Sequence, residues 1–234
     1  MKKIRFLIPT GLIPFFFVAS GQDHQVFKGE KQFLGDFKSV SRAIDYSKIS
    51  GSPYESASLT EGTIRFRAGN EIQTYLRYNI YTDEMEYLDG TTLMIVSNVF
   101  DIREIELGDL IYEYSDYIVK LGLTGVIQKG YLVREVEGAC TVYRKMDVRL
   151  QKELPPKSGY DSPRPATFVR ESDSWLIAFN GGRPKLIFLD KNILQREFRQ
   201  PDVLEQWAKD QKLKVKKPEN FIEIVKFHNE FHAK

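Results

Sequence analysis

From residue 63 onward, apolar side chains recur at every second position, the period of a strand with one wet face rather than of a helix. Ile64, Phe66 and Ala68 fall on one side of a pleat, with Thr63, Arg65 and Arg67 on the other. Ile72, Thr74, Leu76, Tyr78 and Ile80 share one face of a second strand and leave Gln73, Tyr75, Arg77 and Asn79 opposite, so a turn is expected at Gly69-Asn70. Met85 and Tyr87 then alternate with Glu84 and Glu86, and Asp89-Gly90 offers the positive φ angles of a two-residue hairpin loop. The returning segment, 91–97, carries Leu93, Met94, Ile95 and Val96 in succession. Apolar on both faces, it is expected inside the sheet or under the helices.

The alternation continues downstream. Residues 101–107 form a further expected strand, Gly108-Asp109 a turn, and Leu110 to Tyr114 a β-branched and aromatic partner strand. Glycines at 122, 125, 130 and 138 punctuate two more runs, 131–136 and 140–150, expected to pair through tight or bulged connections. Residues 154–165 hold four prolines and no period, which requires an exposed loop, because proline donates nothing to a ladder. Strand patterning resumes at 167–170 and 175–179, turns at Asn180-Gly181-Gly182 and returns at 185–189.

The period then changes to that of a helix. Asp190 is placed to cap one helix, Pro201-Asp202 opens a second with Val203, Leu204, Trp207 and Ala208 in a stripe, and Pro218 opens a third with Phe221, Ile224, Val225, His228 and Phe231 on one face. The expected fold class is α+β: an antiparallel β-sheet system over 60–189, as a sandwich or a partly closed barrel, followed by a C-terminal tail of two or three helices over 190–234 packed on the sheet. Ahead of it, 22–59 is a lead-in in which 36–46 reads equally as a short helix or as extended chain, ending in a turn at 50–53.

Charge and leader change the functional picture. Lys2, Lys3 and Arg5 precede a mainly apolar run from Phe6 to Val18 and the small residues Ala19-Ser20-Gly21, the layout of a signal peptide over 1–21. The run is short for a membrane span and is broken by Pro9, Gly11 and Pro14, so cleavage rather than a permanent membrane anchor is expected, with the product in the periplasm or outside the cell. Loss of the leader's three basic residues leaves 31 Lys and Arg against 32 Asp and Glu, moving the net charge from +2 to −1. That balance gives no prior for a nucleic acid partner. One cysteine, Cys140, allows no internal disulfide, and it reads as a buried structural thiol.

Candidate chemistry is sparse. His228 and His232 stand four apart on an expected helix, the spacing of two metal ligands, yet Glu does not follow the first histidine and two ligands are lacking, so no metal or cofactor is assigned. Glu84 and Glu86 share one side of a strand, as paired catalytic carboxylates would, or as a solvated edge would. Tyr75, Arg77, Tyr78 and Tyr81 concentrate aromatic and guanidinium groups along one strand and are the candidate binding residues; the competing reading makes Tyr78 core and Tyr75 and Arg77 cover for a sheet face. The lysines of 209–217 read as a solvated link between helices.

Taken together, Gly51-Ser52-Pro53-Tyr54, Gly62-Thr63-Ile64, Leu76-Arg77-Tyr78-Asn79-Ile80-Tyr81, Asp83-Glu84-Met85-Glu86 and Phe227-His228-Asn229 resemble an uncharacterised family of exported β-rich proteins from Bacteroidota-type bacteria. The resemblance spans most of the chain after the leader and implies export and a β fold, with no catalytic residue. The leading expectation is a non-catalytic envelope or secreted interaction protein that binds a protein partner or a cell-surface polysaccharide. The alternatives are an exported carboxylate-dependent hydrolase of glycan or lipid, and a periplasmic carrier of an apolar ligand.

Overall fold

The structure, a computed structural model, describes residues 38–40, 45–121, 124–156 and 163–232. The expected signal peptide, 1–21, and most of the expected lead-in lie outside the described residues. The strands are β1 (Lys38–Ser39), β2 (Thr60–Phe66), β3 (Glu71–Asn79), β4 (Glu84–Asp89), β5 (Thr92–Ile95), β6 (Ile102–Leu107), β7 (Leu110–Leu121), β8 (Thr124–Val136), β9 (Cys140–Lys145), β10 (Val148–Gln151), β11 (Thr167–Arg170), β12 (Ser174–Phe179) and β13 (Lys185–Ile187). Three helices follow, α1 (Ile193–Glu197), α2 (Pro201–Asp210) and α3 (Pro218–His232).

The chain is α+β, as the periodicity predicts. Its main sheet runs β1-β5-β4-β3-β2-β6-β7-β13-β12-β9-β8, and β8 pairs again with β7. That second pairing closes β7, β13, β12, β9 and β8 into a five-stranded barrel, with the other strands as an extension beyond β7. The barrel is therefore fully closed rather than partly so. The sheet is also not wholly antiparallel: β13 meets β7 in parallel at Lys185 and Ile118.

Alternation along β12 shows how the barrel is filled. Leu176 and Ala178 point inward and meet Tyr117, Leu132 and Tyr143, whereas Trp175, Ile177 and Phe179 point outward with Cys140 and Val142. The helices cover that outer face through Leu194, Leu204, Phe221, Ile224 and Val225. Burial on both sides is why this segment reads as a continuous apolar run. Val203 and Phe231 remain exposed, so the buried helical stripes are narrower than the spacing predicts.

A separate core lies under the extension. Ile64, Ile72, Leu76, Met85 and Ile105 pack with Tyr112, Tyr131 and Val133 of β7 and β8 and with Val148 and Phe168 of the small β10–β11 sheet. Ile102 and Ile105 reach this core together despite their odd spacing because the β2–β6 register shifts between Arg65 and Phe66.

Two local expectations are corrected, and two that offered alternatives are decided. Asp89 stays in the ladder opposite Thr92, so the hairpin loop is Gly90-Thr91, with Gly90 at φ 61 supplying the left-handed first position. Segment β5 lies inside the sheet, one of its two expected placements, between β4 and the two-residue β1. In the lead-in, 38–39 is extended, one of the two readings open for 36–46. The expected long strand over 140–150 breaks at Met146-Asp147, and β10 leaves the barrel to pair with β11. The described parts of the proline-rich segment, 154–156 and 163–165, are exposed, and Leu154 and Arg164 exchange two backbone hydrogen bonds of 3.0 Å.

Candidate functional site

One end of the barrel is plugged by charge. Arg134 donates to Glu113 at 2.5 Å and to Glu104 at 2.9 Å, and the Tyr143 hydroxyl donates to Glu113 at 3.0 Å. The other end opens into a cleft of about 350 Å³. Inward-facing Tyr117, Gln128, Lys145, Ser174 and Leu186 line it, and the β3–β4 turn lays Ile80, Tyr81 and Asp83 across it. Tyr81 and Asp147 also line an adjoining shallow hollow with Arg149, Glu171 and Ser172, which makes the two depressions one groove.

Lys145 organises this mouth. Its ammonium donates to Asp83 Oδ1 at 2.6 Å, to the Tyr131 carbonyl at 3.1 Å and to the Tyr78 hydroxyl at 3.2 Å. All three N–H groups are thereby satisfied. Asp83 Oδ1 also accepts the Tyr78 hydroxyl at 2.6 Å and the Tyr131 N–H at 3.2 Å. The turn can aim this carboxylate back at the barrel because Asp83 sits at φ 55, a left-handed conformation that Asp tolerates better than most residues. Room for it comes from Gly130, where a Cβ would fall 2.1 Å from Asp83 Oδ2.

Burial lowers the Lys145 pKa from its ordinary value, and Asp83 pulls it back upward. Burial, then the Asp83 charge, raises Tyr78 well above the usual tyrosine value; burial with Asp83 and Asp147 raises Tyr117. These phenols stay neutral donors. The Tyr117 hydroxyl lies 3.0 Å from Gln128 Oε1, and Arg149 Nε holds Glu171 at 2.7 Å. Asp147 is the one groove carboxylate whose side chain has no hydrogen bond or ion pair among the described residues.

The four sequence-predicted binding residues separate. Tyr81 lies in the groove, its ring edge-on to Phe168 at 5.2 Å. Tyr78 is core, with only its hydroxyl reaching the clamp behind the groove. Arg77 and Tyr75 project from the opposite face of β3. There Arg77 bonds Glu86 at 2.8 Å and lies over the Tyr54 ring at 4.0 Å, while Tyr75 is exposed.

Glu86 is fully buried, not a solvated edge, and Asn79, expected on the wet face, is buried beside it at 3.4 Å. Glu84 and Glu86 therefore do not form an open catalytic pair. Cys140 is buried, which pushes its thiol up to about 12. His228 and His232 come together with ring centroids 4.4 Å apart, but among the described residues no three His, Cys, Asp or Glu side chains gather to hold a metal ion.

Sequence reasoning did not single out Lys145, which falls within the expected strand run 140–150. The available signal was its parity with Thr141 and Tyr143, which the barrel turns inward. Compared with known protein families, curated proteins and solved structures, the chain matches none, so its function must be argued from its own residues.

Proposed function

We propose that the chain is a non-catalytic binding protein whose barrel-mouth groove takes a hydroxyl-rich ligand, a segment of exported cell-surface polysaccharide. The observation that carries this reading is the combination at the mouth: the half-buried Tyr81 ring beside Gln128, Ser174 and Asp147 in a cleft about 350 Å³ in volume. An aromatic face with a few planar polar groups suits a sugar ring, which has one apolar face and a rim of hydroxyls. The saturation of Lys145 and Asp83 favours binding over catalysis. Every ammonium proton has an acceptor, and Asp83 Oδ1 already takes three donors. A glycosidase needs two carboxylates free to exchange protons across the cleft. Nor does the packed barrel interior, with Leu132 and Leu176 fully buried, favour the carrier of an apolar ligand.

Titration calorimetry with fragments of envelope polysaccharide tests the reading. Saturable binding that weakens about tenfold in Tyr81→Ala and in Gln128→Ala, the effect of losing one good contact, supports it. Unchanged affinity in both variants, or release of new reducing ends, overturns it.

A further inference from the structure

On the far side of β12 lies a second cleft, of about 410 Å³, independent of the groove. Its walls are the end of β12 and the turn after it (Phe179, Asn180), the end of α1 and the segment after it (Glu197, Arg199) and the C-terminal end of α3 (His228, His232). The charges are unevenly used. Glu197 is engaged by Lys185 and by Arg196, so its carboxylate is neutralised. Arg199 is exposed and makes no ion pair or hydrogen bond among the described residues.

The orientation of His228 is set by its neighbour. Asn229 Oδ1 accepts the Cys140 N–H at 2.8 Å, and Asn229 Nδ2 donates to the Cys140 carbonyl at 2.8 Å. Backbone partners of both kinds fix which end of the amide is oxygen. His228 Nδ1, 3.3 Å from that oxygen, must therefore carry a proton, which leaves Nε2 as the acceptor of the neutral ring. Nε2 has no partner among the described residues, and the ring lines the cleft. Phe179 and Phe198 flank it edge-on at 6.2 and 5.1 Å, so the surroundings of the imidazole are apolar.

We propose that this cleft binds a small monocarboxylate with an apolar body, its carboxylate between the Arg199 guanidinium and the imidazoles of His228 and His232, its body on Phe179. One unpaired guanidinium, the donor type best matched to a carboxylate, faces two imidazoles that gain a donor on protonation. A single free cation beside an aromatic wall suits a monoanion better than a phosphate. Binding is coupled to proton uptake at His228 Nε2. The groups facing that ring are His232 on α3, Arg199 and Glu197 across the cleft, with Lys185 of β13 behind Glu197. Burial, then the neighbouring His232, holds the His228 pKa below its ordinary value, opposed by the Asn229 bond, so an arriving carboxylate should raise it.

Benzoate is the probe, with inorganic phosphate for comparison, read by NMR of the ring protons; the chain has three histidines, so the signals are assignable. Expected are saturable shifts of His228 and His232, an upward move of the His228 titration with benzoate bound, and affinity about tenfold weaker in Arg199→Gln and in His232→Gln. Both substituted residues are exposed, so the variants should fold. Tyr81→Ala, which weakens polysaccharide binding in the groove, should bind benzoate as the parent does, which separates the two sites. The proposal is overturned if millimolar benzoate gives no saturable shift, if Arg199→Gln binds equally well, or if phosphate binds more tightly.

Discussion

Gly130 and Asp83 occupy space that only one of them can fill. The native carboxylate stands where an alanine Cβ at 130 would lie, 2.1 Å from Asp83 Oδ2, and that Cβ would also come within 3.0 Å of Lys145 Nζ. Gly130→Ala must therefore push the carboxylate off the ammonium. Breaking a buried ion pair costs about 3–5 kcal/mol. The Asp83 side chain is 28% exposed and that of Lys145 16%, so water recovers part of the loss. About 2 kcal/mol is the expected cost.

Asp83→Gly removes the obstacle and suits the positive φ at that position, at the cost of the clamp. In that background Gly130→Ala should be neutral or stabilising by up to about 1 kcal/mol, because it lowers the entropy of the unfolded chain. Urea denaturation followed by tryptophan fluorescence gives the four stabilities of the cycle. A change of sign, with coupling of about 2 kcal/mol, is expected. Additive effects, within about 0.5 kcal/mol, would refute the claim that a carboxylate buried against β8 fixes the turn to the barrel.

Gly51→Ala should lower Tm by roughly 6–12 °C in a calorimetric scan, since the residue is held at φ 78 and its Cβ would lie 2.3 Å from the Phe168 carbonyl oxygen, a combined cost of about 3 kcal/mol. Asn229→Ala removes two bonds to the Cys140 backbone and a third to the Glu137 carbonyl. It should cost about 2 kcal/mol and accelerate amide exchange in α3 first. Burial raises the pKa of Tyr78, Tyr112, Tyr131 and Tyr143 above the unfolded value of about 10. The folded state then keeps protons that the unfolded chain releases, so this contribution is intact below about pH 10 and is lost as pH rises beyond it. Lys145, lowered by burial, works the other way as one group against four. Urea midpoints should fall steeply above about pH 10, in step with tyrosinate absorbance.

The extension was legible in the sequence because one of its faces is apolar and the other largely polar, and period two then states which residues face the core. Ile64, Ile72, Leu76, Tyr78 and Met85 are buried as their spacing predicts. Closure of the barrel was not legible. Period two assigns side chains to faces but says nothing of which strand lies alongside, and the pairings that close the ring include a parallel contact made by the three-residue β13. Glu86 misled for a related reason. Its face is covered by chain from another part of the sequence: Arg77, its partner, lies against the Tyr54 ring and bonds the Ala57 carbonyl. An alternation that looks like core against solvent is here core against a roofed ion pair.

The aromatic cluster of residues 75–81 shows why density along a strand is a poor guide to a surface. Tyr75 and Arg77 share parity, and Tyr78 has the opposite one, so the pleat must divide them between faces whatever their chemistry. Only a break in the strand can change that assignment, and β3 ends at Asn79. Tyr81 reaches the groove because it belongs to the turn, whose path is fixed by Asp83 reaching back to Lys145. The residue offered to a ligand is therefore placed by an ion pair between positions 62 residues apart. No local pattern encodes that pairing, whereas the glycine at 130 that makes room for it could have been asked why it interrupts a strand.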